Sequence, residues 1–262
     1  MADHLNLDTL DDAGRAALER LIVTLADTKR FLGIRYSDWL LGAPSIETGI
    51  AASSMCQDEW GHARLLYAMF KRLGKDPGPV ERDRPSSEYA STAALDEEAP
   101  DWAAVVAVMV LVDGAATAML ESFAQGTFEQ AESRVPKMLA EEEFHASLGA
   151  AWYRRLADTG GEAKDHLTAA SERMLPSLLT WVGTDDEANL RLVELGVIES
   201  ADARLARFKD GVRELTALVG IDVDGIAPSD GWDAVRGRTA GQPAEEAVER
   251  ARGDRNRALF VE

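Results

Sequence analysis

Apolar residues recur three or four positions apart along nearly the whole chain of 262 residues. In the first long segment, such a row contains Leu18, Leu21, Ile22, Leu25 and Leu32. This spacing places the residues on one face of an α-helix, whereas the alternation that is typical of a half-buried strand is almost absent. The sequence therefore predicts an all-α fold.

Breaks in this pattern divide the chain into four long helices followed by shorter ones. The predicted long helices cover 10–41, 47–73, 101–125 and 132–158, and two or three more fill 163–219. Two short loops and one long, proline-rich connection over 75–100 predict a ferritin-like four-helix bundle, in which two antiparallel hairpins are joined by one long crossover. We expect the bundle and its appended C-terminal helices to occupy 1–220, and an irregular tail to occupy 221–262. We expect Pro136 in the first turn of its helix, because proline has no amide hydrogen to donate.

The second and fourth predicted helices contain an internal repeat. Residues 62–73 read HARLLYAMFKRL and residues 145–156 read HASLGAAWYRRL, with six of the twelve positions identical. The two hairpins therefore look like duplicated units, which indicates a bundle with pseudo-twofold symmetry.

Each copy of the repeat begins with a glutamate three residues before a histidine. These pairs are Glu59 with His62 and Glu142 with His145. Residues i and i+3 lie on one face of a helix, so that a carboxylate and an imidazole can reach the same point. Carboxylate oxygens together with neutral imidazole suit iron or manganese. The alternative is a pair of Glu–His hydrogen bonds on solvated faces.

Dimetal four-helix bundles take one more carboxylate from each of the two partner helices. In an antiparallel hairpin, the residue facing the motif lies about as far before the loop as the motif lies after it. This count gives Asp27 for the first hairpin and Asp113 for the second, where Asp113 interrupts an apolar run. Asp38 and Glu121 are rejected as ligands, because they lie roughly 15 Å nearer the loop at 1.5 Å per residue.

Composition excludes several classes of protein. The net charge of −18 opposes binding to nucleic acid or to an anionic membrane surface. A single cysteine, Cys56, excludes intrachain disulfides and a four-cysteine iron or zinc site. The acidic N-terminus lacks the features of a signal peptide, and the longest apolar run, 102–112, is too short to span a bilayer. We therefore expect a soluble, cytoplasmic protein.

Three stretches of the sequence together resemble a known family. The segment DEWGHARLLY (58–67), the sequence Leu-Ala-Asp at 25–27 and the sequence Glu-Glu-Phe-His at 142–145 are similar to the ferritin-like subunits of bacterial phenylacetyl-CoA oxygenase, the ring epoxidase. The resemblance covers roughly 17–221. It implies a non-haem diiron centre that activates O₂ and inserts one oxygen atom into an aromatic acyl-CoA thioester.

Carried over to this chain, the resemblance assigns six residues as metal ligands. Those matching the family's catalytic pattern are Glu59, His62, Asp113, Glu142 and His145, with Asp27 as the sixth. Glu59, His62, Glu142 and His145 are the expected catalytic residues. The expected cofactor is two iron ions, with manganese as an alternative.

The same resemblance implies an oligomeric, multicomponent assembly. Its partners are a paralogous ferritin-like subunit, a small accessory subunit and a reductase, which supplies the electrons because this sequence contains no flavin, iron–sulfur or nicotinamide motif. The family has one catalytic and one scaffold paralogue. The first helix and the tail, with Gly231-Trp232, look more like the scaffold, whereas both Glu-x-x-His motifs are intact.

Two alternatives to a diiron oxygenase component remain open at this point. The first is a structural subunit that docks a catalytic paralogue. The second is metal storage or peroxide disposal, as in ferritins, rubrerythrins and manganese catalases, although the usual rubrerythrin form needs cysteines that this chain lacks.

Overall fold

The computed structural model describes residues 4–254 and residue 259. The architecture is an all-α, ferritin-like helical bundle, which confirms the predicted fold class. The predicted division into 1–220 and 221–262 stays a prediction, and its two ends, 1–3 and 255–262 apart from residue 259, lie outside the described residues.

The first hairpin consists of helix α1 (Asp12–Asp38) and helix α2 (Ile46–Tyr67). Side chains preceding each helix stabilise its first turn, because Asp11 accepts from the amide of Gly14 and Ser45 accepts from the amide of Thr48. The apolar row of α1 is buried against α2 and the second hairpin, and both helices pack along most of their length. The predicted short loop therefore lies where the Gly and Pro residues indicated.

The crossover after α2 contains only short helical segments. A 3₁₀ continuation (Ala68–Leu73) ends at Gly74, whose φ of +76° is a left-handed conformation that favours glycine. Helix α3 (Pro77–Arg82) and 3₁₀ turns at Ser86–Glu88 and Ala93–Leu95 follow. The crossover leads to the start of the second hairpin, as predicted from the long connection.

The second hairpin begins with a helix that changes its winding in the middle. Helix α4 (Trp102–Ala107) continues as a π-helical segment (Val108–Val112) and then as helix α5 (Asp113–Ala124). The stretch from Trp102 to Ala124 is long and apolar enough to cross a membrane. However, 89% of its most apolar part is buried inside the fold. This stretch is therefore a core helix of the bundle.

Helix α6 (Glu129–Thr159) completes the second hairpin. It begins three residues earlier than the sequence predicts, so that Pro136 lies inside the helix and not in its first turn. The expectation for Pro136 was therefore wrong. Pro136 and Glu132, whose carbonyl would accept from the missing amide, are both exposed, which leaves room for the local adjustment.

Three further helices and a short terminal unit pack on the bundle. In order these elements are α7 (Gly161–Gly183), α8 (Glu187–Glu194), α9 (Ala201–Leu218), strands β1 (Trp232–Asp233) and β2 (Arg238–Thr239), and α10 (Glu245–Arg252). The strands form an antiparallel pair. Arg238, which is fully buried, pairs with Asp96 of the crossover at 2.5 Å and fixes this unit to the bundle.

Candidate metal centre

Five of the six predicted ligands meet in the middle of the bundle. Four of them, Glu59, Asp113, Glu142 and His145, are buried, and each offers a ligand atom within 4.8 Å of the others. His62 borders this group, with its Nδ1 3.0 Å from Oε1 of Glu142. The two Glu-x-x-His motifs on α2 and α6 therefore face one another across the bundle axis, as the repeat predicts. We call these five residues together with Lys29, described below, the central cluster.

The π-helical segment brings Asp113 to the central cluster. The segment ends at Val112, the residue before Asp113, and all five of its apolar side chains are buried. A π turn inserts an extra residue and so rotates the following helix, and such turns occur frequently at functional sites. The hydroxyl of Tyr36 on α1 donates to Oδ2 of Asp113 at 3.0 Å and holds the carboxylate in place.

Lys29 of α1 is the central member of the cluster and was not among the residues predicted for it. Its ammonium group is fully buried and lies 3.1 Å from Glu59 Oε1, 2.7 Å from Asp113 Oδ1 and 2.6 Å from Glu142 Oε1. The sequence does contain a signal for it, because Lys29 lies four residues after Leu25 and three before Leu32, on the same core-facing row.

Asp27 lies in a different environment. Its carboxylate accepts hydrogen bonds from both terminal nitrogens of Arg84, from the hydroxyl of Tyr67 and from the amide of Ala90. Two residues correspond to about 200° of rotation around a helix, so that Asp27 and Lys29 project to different sides of α1. The structure therefore places Asp27 against the crossover, whereas Lys29 is the α1 residue that reaches the other predicted ligands.

A second carboxylate contacts the outer nitrogen of each histidine. Nε2 of His62 lies 2.7 Å from Glu141, and Nε2 of His145 lies 3.4 Å from Asp58. Each of these carboxylates immediately precedes the glutamate of one motif and contacts the histidine of the other. The two copies of the repeat therefore contact each other in the same way. Histidine ligands of metals are usually oriented by such outer partners.

Burial and charge together set the protonation of the central cluster. Burial raises the pKa of Glu59 to about 8. Burial works against the charged form of Lys29, but the carboxylates of Asp113, Glu142 and Glu59 hold its pKa well above the ordinary value. Burial also opposes a charged His145, but hydrogen bonds with Asp113, Glu142 and Glu59 raise its pKa to about 12. These pKa shifts favour positive charge on Lys29 and His145 and a retained proton on Glu59.

The donor set fits one metal ion better than a pair. Oε2 of Glu59 is buried and forms no hydrogen bond with any described group, so a cation there would satisfy it. A dimetal centre, however, needs a carboxylate from the helix that supplies Lys29. Two divalent ions would also meet the positive charge of the Lys29 ammonium at close range. The ligand roles of all six predicted residues stay predictions.

A cavity of about 340 Å³ connects the central cluster with the space between α5, α6 and α9. Asp113 and Glu142 form its inner end, and most of the remaining lining is apolar or small, including Met109, Ala146 and Val212. Arg154 and Arg207 also contribute to the lining. The cavity has room for a small apolar group next to the two carboxylates.

Comparison with known proteins agrees with this architecture. A family model described as phenylacetic acid catabolic protein matches residues 1–238. A search of curated proteins finds no significant match. The family match covers the four bundle helices, the crossover and both Glu-x-x-His motifs.

Proposed function

Because the chain belongs to the phenylacetic acid catabolic protein family, we propose that it is a subunit of a multicomponent oxygenase that acts on an aromatic acyl-CoA thioester. Within that assembly, the chain is the structural ferritin-like subunit. It supports a catalytic paralogue that carries the metal ions, together with a small accessory subunit and a reductase. The assembly works in the cytoplasm.

The observation that carries this role is the position of the Lys29 ammonium among three carboxylates. A lysine ammonium has three donors and no free electron pair, so it takes the place of a cation and cannot bind one. It also joins α1 to α2, α5 and α6 through a single buried group. A bundle held in this way keeps its helix positions without any metal.

A second candidate is favoured by the donor groups themselves. Five carboxylate and imidazole groups converge, and the 340 Å³ cavity leads to two of them. In this case the chain is an O₂-dependent, non-haem diiron monooxygenase component, with Glu59, His62, Asp113, Glu142 and His145 as ligands. Iron, when bound, would supply O₂ activation, with manganese as the alternative ion and electrons from the separate reductase. The residues lining the cavity would position the ring of the substrate and exclude water.

Metal loading of the full chain distinguishes the two candidates. We would titrate the purified chain anaerobically with Fe(II), and in parallel with Mn(II), and measure bound metal per chain after desalting. The structural role predicts substoichiometric metal in the wild type. Lys29→Glu supplies the missing α1 carboxylate and removes the ammonium, so it should bind about two ions per chain.

The matched control is Lys75→Glu, which changes an exposed lysine that pairs with Glu19. It should bind no more metal than the wild type. About two irons per wild-type chain would overturn the structural role and support the monooxygenase candidate. In the assembled complex, Glu59→Gln should leave turnover unchanged if the role is structural, and should abolish it if this chain is catalytic.

A further inference from the structure

One glycine of α6 lies very close to the π-helical segment. Gly149 is buried in the interior of α6. A Cβ atom at residue 149 would lie 3.1 Å from Cβ of Met109, 3.3 Å from Cγ2 of Val110 and 3.4 Å from the carbonyl carbon of Met109. All three distances are shorter than the separation of about 3.5–4.0 Å at which two carbon atoms attract each other best. The π-helical segment therefore occupies space that any other residue at position 149 would fill.

The local structure of α6 does not explain a glycine at this position. Glycine destabilises the interior of a helix relative to alanine, because it loses more conformational freedom on folding. Gly149 also lacks the positive φ that would favour glycine. The reason for this residue must therefore lie in what packs against α6 at this point.

The first copy of the internal repeat shows which residue occupies the equivalent position against a regular helix. Residue 149 of the second copy corresponds to residue 66 of the first, which is a fully buried leucine. Leu66 belongs to α2, which packs mainly along α1, and α1 is an uninterrupted α-helix. The two copies thus differ at this position in the same way as their partner helices differ in winding.

The π turns require the space that Gly149 leaves. A π turn contains an extra residue and bulges out of the helix, and the affected atoms of Met109 are fixed to this backbone. Without the extra residue, Asp113 would be rotated by about 100° around its helix, the angle between successive residues. Its carboxylate would then lose its contacts with the Lys29 ammonium at 2.7 Å and the Tyr36 hydroxyl at 3.0 Å.

From this close approach at the point where the winding changes, we infer that Gly149 is a positioning residue for Asp113. It leaves the volume in which 108–112 form π turns, and those turns direct Asp113 toward Lys29. The inference rests on the central cluster used in the proposed function, but it requires no bound metal. Its failure is therefore distinguishable from a failure of the metal titration described above.

A double-mutant cycle in the metal-free, full-length chain tests this role, with urea denaturation as the measurement. Asp113→Asn alone should lower the urea midpoint, because it removes a charged partner of Lys29. Gly149→Leu introduces the residue of the first copy and should turn Asp113 away. In that background, Asp113→Asn should shift the midpoint by less than about half as much. Asp27→Asn is the control and should cause equal shifts in both backgrounds, because Asp27 lies against the crossover.

Gly149→Ala carries the same cycle with a smaller coupling if Gly149→Leu does not fold. Its matched control is Gly61→Ala, at an exposed position of α2 where a Cβ atom would meet nothing within 4 Å. Gly61→Ala should raise the midpoint through its better helix propensity, whereas Gly149→Ala should lower it. A crystal structure of the folded Gly149 variant should show a longer separation between Lys29 Nζ and Asp113 Oδ1.

Three results would overturn the inference. The first is an additive cycle, in which Asp113→Asn causes the same shift with and without the substitution at residue 149. The second is a rise of the midpoint in Gly149→Ala that equals the rise in Gly61→Ala. The third is a crystal structure of the folded Gly149 variant in which Asp113 keeps its contact with Lys29.

Discussion

Asp27 and Lys29 are both fully buried charged residues of α1, and they lie only two positions apart. Asp27 belongs to a closed cluster, in which Arg84, Tyr67 and the amide of Ala90 satisfy its carboxylate. Lys29 belongs to the central cluster, in which Oε2 of Glu59 is buried and remains without a hydrogen bond. The first arrangement is complete, whereas the second retains unused donor and acceptor capacity.

This difference separates a charge that holds the fold together from charges that can respond to a ligand or a proton. The Asp27 cluster ties the crossover to α1 and α2, and it gains nothing from a further partner. The central cluster contains more carboxylate oxygens than one ammonium can satisfy. Buried polar groups left in this state cost free energy and mark the place where a cation or a proton is taken up.

The largest loss of stability should follow from removal of the Lys29 charge. Lys29→Met removes the ammonium that contacts all three buried carboxyl groups, so we expect the free energy of unfolding of the metal-free chain to fall by about 3–5 kcal/mol. Urea denaturation followed by circular dichroism measures this change. Lys75→Met, at an exposed ion pair, should cost less than about 1 kcal/mol. Equal losses in the two variants would show that Lys29 does not hold the central cluster together.

Disruption of the Asp27 cluster should lower the stability of the chain without changing its metal binding. Asp27→Asn keeps the shape of the side chain but leaves the buried charge of Arg84 without its carboxylate, so we expect a loss of about 2–3 kcal/mol. The Lys29→Glu variant should bind the same amount of metal whether or not it also carries Asp27→Asn. Asp12→Asn, on the exposed first turn of α1, is the control and should be nearly neutral. A loss of bound metal on Asp27→Asn would instead support Asp27 as a ligand, as the sequence predicts.

The pH dependence of stability should reveal the protonated Glu59. Its pKa lies above the unfolded value, so its contribution to stability is fully present below about pH 4.5 and is lost as the pH rises through about 8. Between pH 5 and 8, the free energy of unfolding of the metal-free chain should therefore fall by up to about 1.4 kcal/mol per pH unit. Glu59→Gln should remove this dependence between about pH 5 and 6.5 and reduce it at higher pH, because the amide cannot ionise.

Above about pH 6.5, His145 also makes the free energy of unfolding fall as the pH rises. Its pKa of about 12 in the folded state exceeds the value in the unfolded chain. Glu143→Gln, at an exposed position on α6, serves as the control for the Glu59 experiment and should retain the wild-type slope. Parallel curves for the wild type and Glu59→Gln would contradict a proton on Glu59 in the folded state.

The smallest loss of stability should come from the two carboxylates that contact the outer nitrogens of the histidines. Glu141→Gln and Asp58→Asn each change a side chain that is about one-third exposed and contacts a histidine. Because water screens such pairs, we expect each substitution to cost less than about 1 kcal/mol. Thermal unfolding at low and high salt provides the measurement. A loss comparable to that of Lys29→Met would mean that the outer contacts belong to the same buried network.

The sequence by itself determined the helices, the two hairpins with their crossover, and the level along the bundle at which the charged residues meet. Helical periodicity and the Glu-x-x-His repeat carry this information, because both are local patterns that survive in any packing. They were enough to bring together Glu59, His62, Asp113, Glu142 and His145.

Only the tertiary structure decided which residue of α1 completes the central cluster. Counting back from the loop reaches the correct level, because an error of two residues moves the position by only about 3 Å along the helix. The same error rotates the side chain by about 200°, which exchanges Lys29 for Asp27. Which of the two faces the bundle axis depends on how α1 is rotated against the three other helices, and burial of the whole apolar row fixes that rotation.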